Sequence, residues 1–146
     1  MVVSNQAGVA RGFFEEPAIL KVHQRLKELL AVKNAHWDAI FYCPHHPDGN
    51  IPRYSVPCAC RKPEPGMLVQ AARILNLTFT NSWLIGDNIT DIQAGLSVGC
   101  NTILVETGHG KQFFAEAPKQ ATLKKDLAEA VKFILESKSF PHHQSA

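Results

Sequence analysis

Trp83-Leu84-Ile85-Gly86-Asp87-Asn88-Ile89-Thr90-Asp91 is the stretch that decides the fold. An apolar run of strand length stops at Gly86-Asp87, and Thr90 to Val98 then carries apolar residues at helical spacing. Thr102 to Val105 returns to a strand-length apolar run. Strand, helix and strand in so short a span is the crossover unit of a parallel sheet.

Working outward, the alternation repeats. Upstream, Met1 to Ser4 reads as a short strand, and Glu15, Glu16 and Pro17 open a helix on which Ile19, His23, Leu26 and Leu30 share one face to about Lys33. Ala39 to Tyr42 reads as a second strand and Pro65 to Leu75 as a helix. Downstream, Leu127, Ala130, Val131, Ile134 and Leu135 form one face of a last helix. The fold class is α/β, a parallel sheet with helices on both faces. The length of 146 residues suits one core, and residues 1–136 are expected to form a single domain. Residues 43–60 are rich in proline and lack apolar periodicity, so a loop of that length needs its own staple. Residues 137–146 have no pattern and are expected to be a flexible tail, with His142 and His143 solvated.

Hydrophobic residues at 45% and charged residues at 19% place the chain among ordinary globular proteins. The formal charge is +2 and the Lys and Arg residues are scattered, which argues against nucleic-acid and anionic-membrane partners. No stretch resembles a signal peptide or a membrane span, so a cytoplasmic protein is expected, with a monomer as the default and a small phosphorylated molecule as its partner.

In open α/β sheets ligands bind beyond the carboxyl ends of the strands, and three such places are chemically loaded. Ser4-Asn5-Gln6-Ala7-Gly8 offers a hydroxyl, two amides and backbone donors to an anion, or forms an ordinary turn. Asp87 and Asp91 are hard oxygen ligands at a helix mouth, suited to Mg²⁺, or are capping acids. Arg61-Lys62 pairs a fork and a point charge for phosphate, or is a solvated basic pair. Cys43-Pro44-His45 and Cys58-Ala59-Cys60 supply three thiolates and an imidazole, a complete set for structural zinc, with His46 as a rival fourth ligand. Cys100 stands apart and reads as a small apolar residue.

Taken in order, Ser4-Asn5-Gln6-Ala7-Gly8-Val9-Ala10-Arg11-Gly12, Cys-x-His, Cys-x-Cys-Arg-Lys-Pro and Gly-Asp-Asn-x-x-Asp-x-x-Ala-Gly resemble the haloacid-dehalogenase (HAD) phosphatases. The match runs from Val2 to about Gly108 and is similar to the zinc-carrying subgroup that contains heptose-bisphosphate and histidinol-phosphate phosphatases. The resemblance implies a three-layer Rossmann-like fold, Mg²⁺ and Zn²⁺ as cofactors, and His45 as the fourth zinc ligand. It gives Ser4 a hydrogen bond to the transferring phosphoryl group, with Asn5, Gln6 and Ala7 around the substrate. Lys62 neutralises developing charge, and Arg61 contacts the substrate, at its second phosphate. Asp87 and the backbone of Asn88 hold Mg²⁺, and Asp91 supports them. Asn88 departs from the subgroup, where a Lys frequently follows the Asp and touches substrate.

The implied activity is a phosphomonoesterase reaction on a sugar bisphosphate through an aspartyl-phosphate, with the 7-phosphate of D-glycero-D-manno-heptose 1,7-bisphosphate as first choice. Histidinol phosphate is the alternative substrate, and a zinc-containing module without turnover is the alternative class. The family's Asp-x-Asp pair ends a strand ahead of the Ser4 segment, and neither Asp38 nor Asp48 belongs to such a pair. The resemblance therefore implies an N-terminally incomplete domain, with a central strand and its nucleophile supplied by residues outside these.

Overall fold

Local signals place the helices. In the computed structural model, which describes residues 1–138, Pro17 lies in the first turn of helix α2 (Glu16–Ala31), where a missing N–H costs nothing. Helix α3 (Gly66–Leu75) starts after Pro65 and stops at Asn76, which takes the left-handed conformation (φ 51°) that ends many helices. The chain divides into two compact units, one from Met1 to Leu77 and the other from Thr78 onward.

In the first unit, β1 (Val2–Asn5) and β2 (Ile40–Cys43) pair in parallel, Val2 opposite Ile40 and Asn5 opposite Cys43. The short helix α1 (Ala7–Ala10) follows β1 directly, and α2 is the crossover to β2. Helix α3 packs on β2 and buries Met67, Leu68 and Ala71, while α1 buries Val9 and Ala10. On α2, Ile19 is buried as expected, but Leu26 stays 38% exposed, so the inner face is narrower than its periodicity suggests.

In the second unit, β3 (Trp83–Gly86), β4 (Asn101–Val105) and β5 (Thr122–Lys124) form a parallel sheet in that order. Helix α4 (Ile89–Ser97) is the crossover between β3 and β4, as the opening stretch predicts. It lies so close to the sheet that a Cβ at Gly95 would stand 2.6 Å from Thr102 Cγ2. The core gathers Ile103, Val105 and Ala130 with Trp83, Ile85, Phe133 and Ile134, and Trp83 meets Phe133 edge-on at 5.7 Å.

Helix α5 (Leu127–Lys138) corrects two expectations. It continues past residue 136 to Lys138, and residues 139–146, with His142 and His143, lie outside the described residues. Its inward arc is Ala130, Phe133 and Ile134, whereas Leu127, Val131 and Leu135 remain exposed. The helix is apolar over a wider arc than the sheet can cover, and small Ala130 permits the closest approach.

Candidate functional site

The strand-end segment of the first unit is organised around Lys62. This residue is only 8% exposed, and its Nζ donates to the Val3 carbonyl at 2.9 Å, beside the end of β1. Asn5 Nδ2 donates to the Lys62 carbonyl at 3.0 Å, and Asn5 Oδ1 accepts the Lys62 N–H at 3.0 Å. Ser4 Oγ accepts from Gln6 Nε2 at 2.9 Å, and the Gln6 N–H donates to the Cys43 carbonyl at 2.8 Å. Ala7 begins α1. Two hydrogen-bonded pairs, Ser4 with Gln6 and Asn5 with Lys62, thus arise from the β1 end and the residue after it, the second pair spanning 57 positions in sequence.

Beside it lies the cysteine loop. Cys43 Sγ is 3.5 Å from Cys58 Sγ and 3.0 Å from Cys60 Sγ, Cys58 and Cys60 are 3.2 Å apart, and His45 Nδ1 lies 3.4 Å from Cys60 and 3.7 Å from Cys43. A tetrahedron with Zn–S bonds of about 2.3 Å has edges of about 3.8 Å. The three sulfur–sulfur edges fall short of that by about 0.3 to 0.8 Å, so a modest expansion of the cluster suffices to hold zinc, and none of the cysteines is in a disulfide. Burial, reinforced by the hydrogen bonds that Cys60 donates to Cys43 and Cys58, holds the Cys60 thiol well above the usual range, and burial raises Cys43 as well. For Cys58 burial also acts upward, but hydrogen bonds from Cys60 and Cys43 outweigh it and the thiol falls below its ordinary value. Crowded thiols of this kind are stable together when a divalent cation takes their protons' place.

His45, not His46, joins the cluster. His46 turns away, with its Nδ1 3.1 Å from the Asp48 N–H and its Nε2 3.4 Å from Arg11 Nη2. Burial lowers its pKa, as do the charges of Arg61 and Arg11. Arg61 Nη1 donates to the His45 carbonyl at 3.3 Å. The loop also docks on α1, because the Ala10 carbonyl accepts both the Asn50 and Ile51 N–H groups, at 2.7 and 2.9 Å. Glu16 accepts from Tyr42 at 3.1 Å and from Tyr54 at 2.6 Å, joining α2 to β2 and to the loop.

In the second unit, the helix cap is Asn88 and not Asp87. Asn88 Oδ1 accepts the Thr90 N–H at 3.0 Å, and Asp91 Oδ2 accepts the Asn88 N–H at 3.0 Å, a reciprocal capping box. Asp91 is 7% exposed. Asp87, relieved of capping, stands at the β3 end with Oδ2 accepting the His109 N–H at 3.0 Å, and Oδ1 has no hydrogen-bond partner among the described residues. Gly108 has φ +71° and leaves no room for a Cβ beside Asp87 Oδ2. A carboxylate fixed on one oxygen and open on the other fits Mg²⁺, which takes one or two protein carboxylates and keeps its waters. The glycine-flanked loop after β4 was not among the strand ends singled out from the sequence. The same rule of carboxyl ends points to it.

A parallel α/β architecture that carries a buried lysine clamped at one strand end and an open carboxylate at another has the parts of a phosphohydrolase. The HAD-hydrolase-like family matches residues 59–130. The D-glycero-β-D-manno-heptose-1,7-bisphosphate 7-phosphatase of Yersinia pestis is 41% identical over 135 residues, 90% of this chain and 72% of that protein. Its counterpart from Photorhabdus laumondii is 41% identical over 139 residues, 92% of this chain and 73% of its own length. The crystal structure of D,D-heptose 1,7-bisphosphate phosphatase from B. bronchiseptica, complexed with magnesium and phosphate, superimposes with a TM-score of 0.82 at 35% identity, covering 93% of this chain and 74% of that one. The chain belongs to this family of HAD phosphatases.

Proposed function

We propose that the protein is a Mg²⁺-dependent phosphomonoesterase that removes the 7-phosphate of D-glycero-β-D-manno-heptose 1,7-bisphosphate. The observation that carries this reading is the Lys62 cradle: a buried ammonium held by the Val3 carbonyl and a peptide gripped by Asn5, the two residues that flank Ser4 in β1. Relatives at about this identity that bear that name support the substrate. Lys62 and Ser4 would hold the transferring phosphate, with Asn5, Gln6 and Ala7 behind them and Arg61 toward the rest of the sugar. Asp87 and the Asn88 backbone would hold Mg²⁺, which when bound supplies positive charge to the phosphate oxygens, and Asp91 would keep that turn in place. Cys43, His45, Cys58 and Cys60 would hold a structural zinc with no open position. Four unpaired cysteines support a reducing compartment, the cytoplasm, and no helix among the described residues is long and apolar enough to cross a membrane. A monomer is the working oligomeric state.

One observation favours a second reading. Asp38, Asp48, Asp87, Asp91 and Asp126 include no Asp-x-Asp pair, so within these residues the protein could bind sugar phosphates without turning them over. Phosphate release measured with heptose 1,7-bisphosphate and with histidinol phosphate, with and without Mg²⁺, separates the cases. Mg²⁺-dependent release from the heptose bisphosphate supports the enzyme, faster release from histidinol phosphate moves the substrate, and binding without release establishes the binding module.

A further inference from the structure

The two oxygens of Asp87 stand in unequal surroundings, and backbone alone makes the difference. Oδ2 accepts the His109 N–H at 3.0 Å, whereas Oδ1 has no hydrogen-bond partner among the described residues. Gly108, at φ +71°, lies so close against Oδ2 that even a methyl group there would collide with it. The turn is itself anchored. The Glu106 and Thr107 N–H groups donate to the Lys124 and Lys125 carbonyls at 2.9 and 3.2 Å, and the Lys111 N–H donates to the Glu106 carbonyl at 3.2 Å. Gly110 is buried, and a Cβ on it would overlap the Val105 carbonyl at the end of β4. Asp87 therefore meets a turn that the neighbouring strands hold in place.

Which oxygen is covered bears on which cation the carboxylate suits. Mg²⁺ sits at about 2.0–2.1 Å from its ligands in an octahedron filled out with water, and one oxygen of a carboxylate serves it. Ca²⁺ is larger, gathers about six to eight oxygens at about 2.3–2.6 Å, and readily uses both oxygens of one carboxylate to do so. With a lone pair of Oδ2 given to the His109 amide and the Gly108 backbone packed beside it, Asp87 offers a cation Oδ1 alone.

We propose that the Gly108-His109 turn is a latch that keeps Asp87 monodentate and so sets the preference of its site for Mg²⁺ over Ca²⁺. The inference rests on the reading of Asp87 as a metal ligand and adds the residues that decide which metal it takes. Gly108 and His109 are positioning residues, acting on the ion only through Asp87. The imidazole of His109 has no part in the latch, because the donor is the peptide N–H.

The test is the ratio of Mg²⁺ to Ca²⁺ affinity, read without substrate from the Asn88 and Gly108 amide resonances as magnesium or calcium chloride is added. Asp87→Asn is the control that assigns the response to this carboxylate, and an amide spectrum otherwise like that of wild type shows that each variant is folded. Wild type should bind Mg²⁺ the more tightly. His109→Pro deletes the N–H along with the imidazole and should move the ratio about tenfold toward Ca²⁺, the scale of one charge-assisted hydrogen bond released from Oδ2. His109→Ala deletes the imidazole alone and should keep the wild-type ratio. Gly108→Ala pushes a methyl group against Oδ2, opens the latch from the other side and should act in the same direction as His109→Pro. A wild-type protein that binds Ca²⁺ as tightly as Mg²⁺ overturns the latch, as does a ratio that His109→Pro and Gly108→Ala leave unchanged, and in both cases Asp87 remains a metal ligand. An equal shift in His109→Ala assigns the effect to the imidazole and also overturns it. A response to neither ion removes Asp87 from the metal site, and the latch with it. Phosphate release, measured separately, decides the phosphatase reading.

Discussion

The Asn5 carboxamide grips the Lys62 peptide from both sides, donating to its carbonyl and accepting its N–H, each at 3.0 Å. A side chain spent in this way has little left for substrate, so its influence should pass through Lys62. Asn5→Ala is expected to lower kcat about tenfold, near 1.4 kcal/mol. In a Lys62→Ala background the same change should add almost nothing, the mark of two residues acting as one unit. A rise in KM at constant kcat, additive with Lys62→Ala, would show that Asn5 touches substrate directly.

Asp87 has one oxygen committed to the His109 N–H and the other open. Asp87→Asn keeps the shape and removes the charge, and several kcal/mol of metal-borne stabilisation is at stake. The variant should need more Mg²⁺ and lose about a hundredfold in kcat, with zinc retained. Identical Mg²⁺ titrations for mutant and wild type would remove Asp87 from the metal site.

The thiol cluster makes a stoichiometric claim. Metal analysis should find about one zinc per chain, and Cys58→Ser should release it and lower the stability of the loop. Full zinc occupancy in that mutant would take Cys58 out of the ligand set.

Thr102 is 1% exposed, and its Oγ1 has no hydrogen-bond partner among the described residues. An orphaned buried hydroxyl costs about 1–3 kcal/mol, so Thr102→Val, of nearly the same shape, should stabilise the fold by about 1 kcal/mol. A higher denaturant midpoint at unchanged m-value is the expected result, and a lower one would mean that the hydroxyl is satisfied in solution.

The tyrosines on Glu16 set an alkaline limit. Burial, then the hydrogen bond to Glu16 and its charge, raise the Tyr42 pKa above the ordinary 10.0, and for Tyr54 the Glu16 hydrogen bond comes first. Both phenols hold their protons more tightly folded than unfolded. The stability they contribute is therefore complete below about pH 10 and is lost as pH climbs through the raised values. Unfolding followed from about pH 9 to about pH 12 should fall less steeply for Tyr54→Phe than for wild type. Parallel curves would refute the coupling.

What could be read from the sequence is what short-range chemistry dictates. Gly86-Asp87 at a strand end, Pro17 at a helix start, and the Cys-x-His and Cys-x-Cys pairs each announce themselves within a few residues, and the structure places them as expected. The Asn5 grip on Lys62 spans 57 positions, and the closure of Gly108 and His109 on Asp87 spans about 20, so neither leaves a local trace. Strand β5 is three residues long and is defined by its ladder with β4 rather than by any run of its own. The inner arc of α5 was misjudged for a related reason, since periodicity gives the width of an apolar face but not which part of it the sheet can reach.

The four residues that could hold zinc lie on both sides of Arg53, Cys43 and His45 before it and Cys58 and Cys60 after it, and Arg53 is exposed in the 3₁₀ turn Pro52–Tyr54. A trypsin-like protease that cut there would sever the chain without separating its parts, because bonds to a bound zinc would span the break and the hydrogen bonds of the His46 N–H to the Tyr54 carbonyl and of the Ser55 N–H to the Ile51 carbonyl cross it. Covalent continuity through the tip of this loop is dispensable once zinc is bound. Loops with that property accept nicks, and by the same logic new chain ends or an inserted peptide, at a point where an unstapled segment of equal length would come apart.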